Sequence, residues 1–149
     1  MAEGACIACF LMMEREIESS IRKVIAYLKD INVTVNFSKN TDESCCDLYR
    51  YEIHIPENDD RETILYSLLH EAGHFFLDAE GKDVPANPEP LDVLFNEVLA
   101  WDRGMEIAAA LKLDFFEKDE YYELSKESIE KYTAFFKLKI TGLIICRPA

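Results

Sequence analysis

The residues of this 149-residue chain with the most chemical potential are His70-Glu71-Ala72-Gly73-His74. They read His-Glu-x-x-His within a stretch of helical apolar spacing. Residues four apart on a helix share one face. Two imidazoles so placed can bind one Zn²⁺ at about 2.0–2.1 Å each. Glu71 then lies beside the ion, where it can take a proton from the metal's water. With only three His and 18 Glu in the chain, chance supplies roughly 0.007 such motifs. A glycine inside a helix costs about 1 kcal/mol relative to alanine, so Gly73 predicts a close approach by another backbone.

A catalytic zinc site takes three protein ligands and keeps one position open. The third ligand must come from elsewhere in the chain. The best candidate is Glu97, on a helical stretch that can fold back against the first, with the small Ala100 permitting close packing and Trp101 walling the site. Asp92 and His54 are the alternatives. Asp78 lies too far along the helix from His70. Glu80 and Leu77 stand where a metzincin would have its third His and its Gly, so that class is unsupported.

His-Glu-x-x-His followed by a Glu from the next helix resembles the gluzincins. His70-Glu71-Ala72-Gly73-His74 with Glu97-x-x-Ala100 downstream also looks like the ImmA/IrrE type of small metallopeptidase, in which a strand precedes the metal helix. The resemblance covers about Tyr49 to Ala110. It implies that His70, His74 and Glu97 are zinc ligands, that Glu71 is the catalytic acid/base, and that a protein or peptide is the substrate. Four tyrosines, Tyr66, Tyr121, Tyr122 and Tyr132, together with His54, are candidates to stabilise the oxyanion. Asp102, Asp78 or a backbone carbonyl would orient the histidine rings.

The flanking elements must position these groups. Ile17, Ile21, Val24, Ile25 and Leu28 predict an amphipathic helix from about Phe10 to Leu28. Val33, Val35 and Phe37 alternate with polar residues as in a half-buried strand, and so do Tyr49, Tyr51, Ile53 and Ile55 up to Pro56. The edge of the second strand is expected to offer pairing to an extended peptide. Lys39 to Asp47 reads as a loop, with Cys45 and Cys46 in a turn. Asp59 or Asp60 can cap a largely buried helix from about Arg61 to Asp78. A proline-rich loop, Gly81 to Pro90, leads to a helix from Leu91 to about Leu113. Asp114 and Glu117 suggest a capping box for another helix. Ile129, Tyr132, Phe136, Ile140 and Leu143 form a last stripe. The expected architecture is a single α+β domain over residues 1–149, minimal and zincin-like, with a small antiparallel sheet packed on a central His-Glu-x-x-His helix and further helices.

Composition narrows the function classes. The chain has 29 acidic and 16 basic residues, a formal charge of −13, which disfavours direct nucleic-acid binding. Five cysteines without framework spacing fit free thiols in a reducing compartment. Cys6-Ile7-Ala8-Cys9 is formally C-x-x-C, but no second pair completes a zinc ribbon. The apolar run Ala5–Met13 is too short to span a bilayer and lacks a basic flank, so a cytoplasmic protein without membrane contact is expected. Its oligomeric state is not legible. The leading expectation is a zinc metallopeptidase. The alternative is a non-catalytic acidic binding module, of inhibitor or anti-repressor type, that keeps a zinc site. Glu71 favours the enzyme, since a structural site needs no carboxylate beside an open position.

Overall fold

The computed structural model describes residues 6–135. Helix α1 (Ile7–Asp30) buries Ile17, Ser20, Ile21, Val24 and Leu28, one face at helical spacing. Its first turns leave Ile7, Phe10, Leu11, Met12 and Met13 exposed. The helix stops where Asn32 takes a left-handed conformation (φ 62°) and the Val33 amide turns back to the Leu28 carbonyl. No described helix is long and apolar enough to cross a membrane.

Three strands follow: β1 (Thr34–Ser38), β2 (Cys45–Asp47) and β3 (Glu52–Pro56). Their order in the sheet is β1-β3-β2. β1 and β3 pair in parallel, Thr34 opposite Glu52 and Ser38 opposite Pro56. β2 and β3 pair antiparallel, Cys45 opposite His54 and Asp47 opposite Glu52. The sheet is therefore mixed, not antiparallel as expected. The cause is β2, whose Cys-Cys-Asp sequence is too short to show alternation. It carries the chain across, so β3 inserts between the other two strands. The second strand also starts later than its alternation predicts. The Asp47 carboxylate accepts from the amides of Tyr49 and Arg50, an Asx-type turn, and Tyr51 is left-handed (φ 57°). With β3 central, its edges are both taken, and the expectation of peptide pairing along it fails.

Helix α2 (Arg61–Ala79) is capped by Asp60, which accepts from the Thr63 amide at 2.9 Å and its hydroxyl at 2.8 Å. Ile64, Leu65, Leu68, Leu69 and Ala72 are wholly buried, each large side chain contributing about 1.5–3 kcal/mol. Helix α3 (Pro90–Leu111) begins with proline in its first turn and a reciprocal cap between Glu89 and Asp92. It ends at Lys112, which is left-handed (φ 50°). Asp114 does not begin a helix. Its carboxylate accepts from Ser19 at 2.5 Å and from Lys23 at 3.2 Å. The last helix, α4 (Lys118–Phe135), starts beyond it. Of the predicted final stripe, Phe136, Ile140 and Leu143 lie outside the described residues.

α2 and α3 cross at two glycines. A Cβ on Gly73 would run into the Ala100 carbonyl oxygen. A Cβ on Gly104 would meet the Leu69 carbonyl and the Tyr121 hydroxyl. This contact brings residue 97 over residues 70–74.

Candidate metal centre

His70, Glu71 and His74 are all buried on α2, at 6%, 4% and 8% exposure. One ligand atom from each lies within 4.8 Å of the others, so the group could hold a metal ion. The two rings stand 4.8 Å apart at 73°. α3 lays Glu97, itself 7% exposed, across them. His70 Nε2 is 3.0 Å from Glu97 Oε2, and His74 Nε2 is 3.2 Å from Glu97 Oε1.

The neighbours fix which atoms face inward. His74 Nδ1 lies 3.0 Å from Asn96 Oδ1, and the Asn96 amide nitrogen donates to the Lys82 carbonyl at 3.3 Å. Asn96 Oδ1 can only accept, so Nδ1 carries a proton and Nε2 is the atom turned toward Glu97. The His70 ring stacks on Trp101, with centroids 4.2 Å apart and planes at 19°. The Tyr121 hydroxyl holds Trp101 from behind, donating to its carbonyl at 2.6 Å.

Electron-rich atoms thus face one another in a dry place. Glu97 Oε2 is buried against His70 Nε2 at 3.0 Å. Burial opposes charge on Glu97, but hydrogen bonds and charge from His70 and His74 outweigh it and hold the carboxyl well below the usual carboxylate range. Burial would lower the His74 imidazole, yet Glu97, then Glu71 and Asn96, leave it raised. Something positive must stand among these atoms, a proton or a metal ion. Ligands of a tetrahedral ion at about 2.0–2.1 Å are themselves roughly 3.3 Å apart. The observed separations of 3.0 and 3.2 Å suit that arrangement.

Glu71 lies beside the two rings on the same turn of α2. Its Oε1 accepts from the Ser44 hydroxyl at 2.8 Å, from the loop before β2. The Cys46 thiol lies beside it. Burial, then the Glu71 charge, push that thiol far above its ordinary range. Cys45 and Cys46 stand in β2 rather than in a turn. Cys6 and Cys9 are exposed at the start of α1. A cleft of about 740 Å³ opens over the centre, floored by His70, Glu71, His74, Glu97 and Trp101 and walled by residues 42–46 and by α4.

The other candidates are placed elsewhere. Asp92 is engaged in the α3 cap, and His54 pairs with Glu52 at 3.2 Å on the sheet. Neither lines the cleft. The Tyr66 hydroxyl donates to Glu62 and accepts from the Glu117 amide, and Tyr121 is held under Trp101. Tyr122 is not part of the cleft. Tyr132, on α4, does line it. Burial, followed by the charges of Glu97 and Glu71, pushes its phenol up. The residue orienting His74 is Asn96, not Asp102 or Asp78. Asn96 and Ser44 carry no signal in the sequence, since their roles depend on where α3 and the β2 loop lie.

No family model, curated protein or solved structure matches this chain. The resemblance to gluzincins and to ImmA/IrrE peptidases therefore rests on the motif alone, and the functional reading rests on the geometry of these side chains.

Proposed function

We propose that this protein is a zinc-dependent metallopeptidase. The observation that supports it best is the convergence of His70 Nε2, His74 Nε2 and the Glu97 carboxylate at 3.0–3.2 Å, with Glu71 beside them under an open cleft. His70, His74 and Glu97 would hold the ion. Two imidazoles, one carboxylate and an open position suit Zn²⁺. Bound there, zinc supplies Lewis acidity and a water whose pKa is lowered to about 7.

The chain's own groups do the rest. Glu71 takes a proton from the attacking water and hands it to the leaving amine nitrogen. Ser44 keeps the Glu71 carboxylate turned toward the cleft through its 2.8 Å hydrogen bond. Asn96 holds His74 in the tautomer that leaves Nε2 free for an ion. Tyr132 is the one candidate phenol in the cleft wall and donates toward the oxyanion. β2, an edge strand whose Cys45 and Cys46 line the cleft, offers its outer edge to an extended peptide.

The test is zinc content and peptide hydrolysis on wild type, His74→Ala and Glu71→Gln. Wild type is expected to bind one zinc and cleave, His74→Ala to lose both, and Glu71→Gln to keep zinc and lose cleavage. Zinc binding with equal, absent cleavage in wild type and Glu71→Gln would move the protein to the non-catalytic binding module.

A further inference from the structure

The cleft walls carry carboxylates that nothing in the metal chemistry uses. Asp42 and Glu43 come from the loop before β2, Asp59 from the turn before α2, and Glu127 from α4. Among the described residues, the one Lys or Arg lining the cleft is Lys131. Five acidic groups elsewhere are paired with cations: Glu18 with Arg61, Glu80 with Lys82 and Arg103, Glu106 with Arg103, Asp114 with Lys23, and Asp47 with Arg50. None of the four wall carboxylates takes part in those pairs. Glu127 and Lys131 are a helical turn apart, yet they form none of these pairs either.

This is more than the acidity of the whole chain. Overall there are 29 acidic to 16 basic residues. Among the described residues lining the cleft there are six acidic, Glu71 and Glu97 included, to one Lys or Arg. A divalent ion would balance Glu71 and Glu97. Four wall carboxylates less the ammonium of Lys131 then leave three net negative charges. They surround a low-dielectric floor, and such a shape focuses the field on whatever enters. The floor itself presents the buried Glu97 carboxylate between the two imidazoles. Asp59 is raised by burial and then by Asp60, as expected of a carboxylate that lacks a cation.

We propose that the cleft selects polypeptide segments carrying Lys or Arg, whose cations pair with Asp42, Glu43, Asp59 and Glu127. This rests on the peptidase reading only for the statement that the ligand is cleaved; the charge preference belongs to the cleft. Lysine and arginine side chains are long enough to reach the walls while the backbone lies over the floor. An acidic or phosphorylated segment would meet like charge from three sides and be rejected.

The experiment uses the full chain loaded with zinc and three fluorescent peptides matched in length and apolar content: one lysine-rich, one neutral and one glutamate-rich. Binding is read by anisotropy on Glu71→Gln, and cleavage by kcat/KM on wild type. The lysine-rich peptide is expected to bind about tenfold more tightly than the neutral one at low salt, with the gap closing in high salt. A variant with Asp42→Asn, Glu43→Gln, Asp59→Asn and Glu127→Gln is expected to lose the preference and to keep its affinity for the neutral peptide. Its circular dichroism and zinc content report whether it folds, and Glu127→Gln alone serves if it does not. Equal binding of the three peptides, or a preference that survives in the variant, overturns the inference. Cleavage without charge preference would leave the peptidase reading standing. A charge preference in binding without cleavage by wild type would overturn the peptidase reading and leave the ligand class.

Discussion

Asn96 Oδ1 lies 3.0 Å from His74 Nδ1, and the next residue, Glu97, puts a carboxylate oxygen 3.2 Å from Nε2 of the same ring. Two consecutive residues of α3 therefore grip both nitrogens of one imidazole. The first sets the proton on the far side, and the second faces the near side, where the group could hold an ion.

This relationship makes Asn96 a positioning residue. Asn96→Ala is expected to weaken zinc binding about 10- to 100-fold, measured by competition with a chelating dye. Thermal stability of the metal-free protein should hardly change. An unchanged zinc affinity would show that His74 is oriented without it.

Ser44 touches Glu71 but none of the three ligand side chains. Ser44→Ala should leave one zinc per chain and lower kcat on a peptide substrate by roughly tenfold, with KM little changed. Loss of zinc in this variant would mean that the loop before β2 supports the metal centre and not the carboxylate.

Gly73 is the point where α2 meets the Ala100 carbonyl. Backbone stands in the way of a Cβ, so the helices must part. Gly73→Ala is expected to cost about 1–3 kcal/mol of unfolding free energy and to reduce zinc affinity, because Glu97 moves away with α3. Urea unfolding and a zinc titration on the same preparation check both.

Zinc itself should stabilise the fold. A ligand that binds only the native state at 100 times its Kd adds about 2.7 kcal/mol. Removal with a chelator should lower the unfolding temperature of wild type and leave that of His74→Ala unchanged.

Glu62 supplies a pH effect remote from the metal. Burial, then a hydrogen bond with Glu120, raise its carboxyl to about 7, while the Tyr66 hydroxyl pulls the other way. The native state therefore holds this proton more tightly than the unfolded chain, whose value is 4.5. The stability it confers is complete below 4.5 and is lost as pH rises toward 7. The shift corresponds to roughly 3 kcal/mol unscreened, and about 1 kcal/mol once solvent exposure is allowed for. Glu62→Gln should flatten the fall in stability between those two values in urea melts run at several pH values. An equally steep fall in the variant would place the effect on other groups.

Much of this protein is written in its sequence. The stripe Ile17, Ile21, Val24 and Leu28, the apolar residues packed around α2, and the Asp60 cap are local patterns, and local patterns decide helices. His70, Glu71 and His74 belong together because one turn of helix puts them together. Gly73 announced a close contact because a mid-helix glycine needs a reason. The sequence could not say that β3 would lie between β1 and β2, since a strand of three residues has no period and parallel pairing depends on a crossover. Nor could it place Asn96, Ser44 or the unpaired wall carboxylates. These depend on how α3 crosses α2 at Gly73 and Gly104, and on where the loop before β2 comes to rest. Chain-distant contacts of that kind follow from packing of the whole, where backbone clearance and burial outweigh any preference of a single residue.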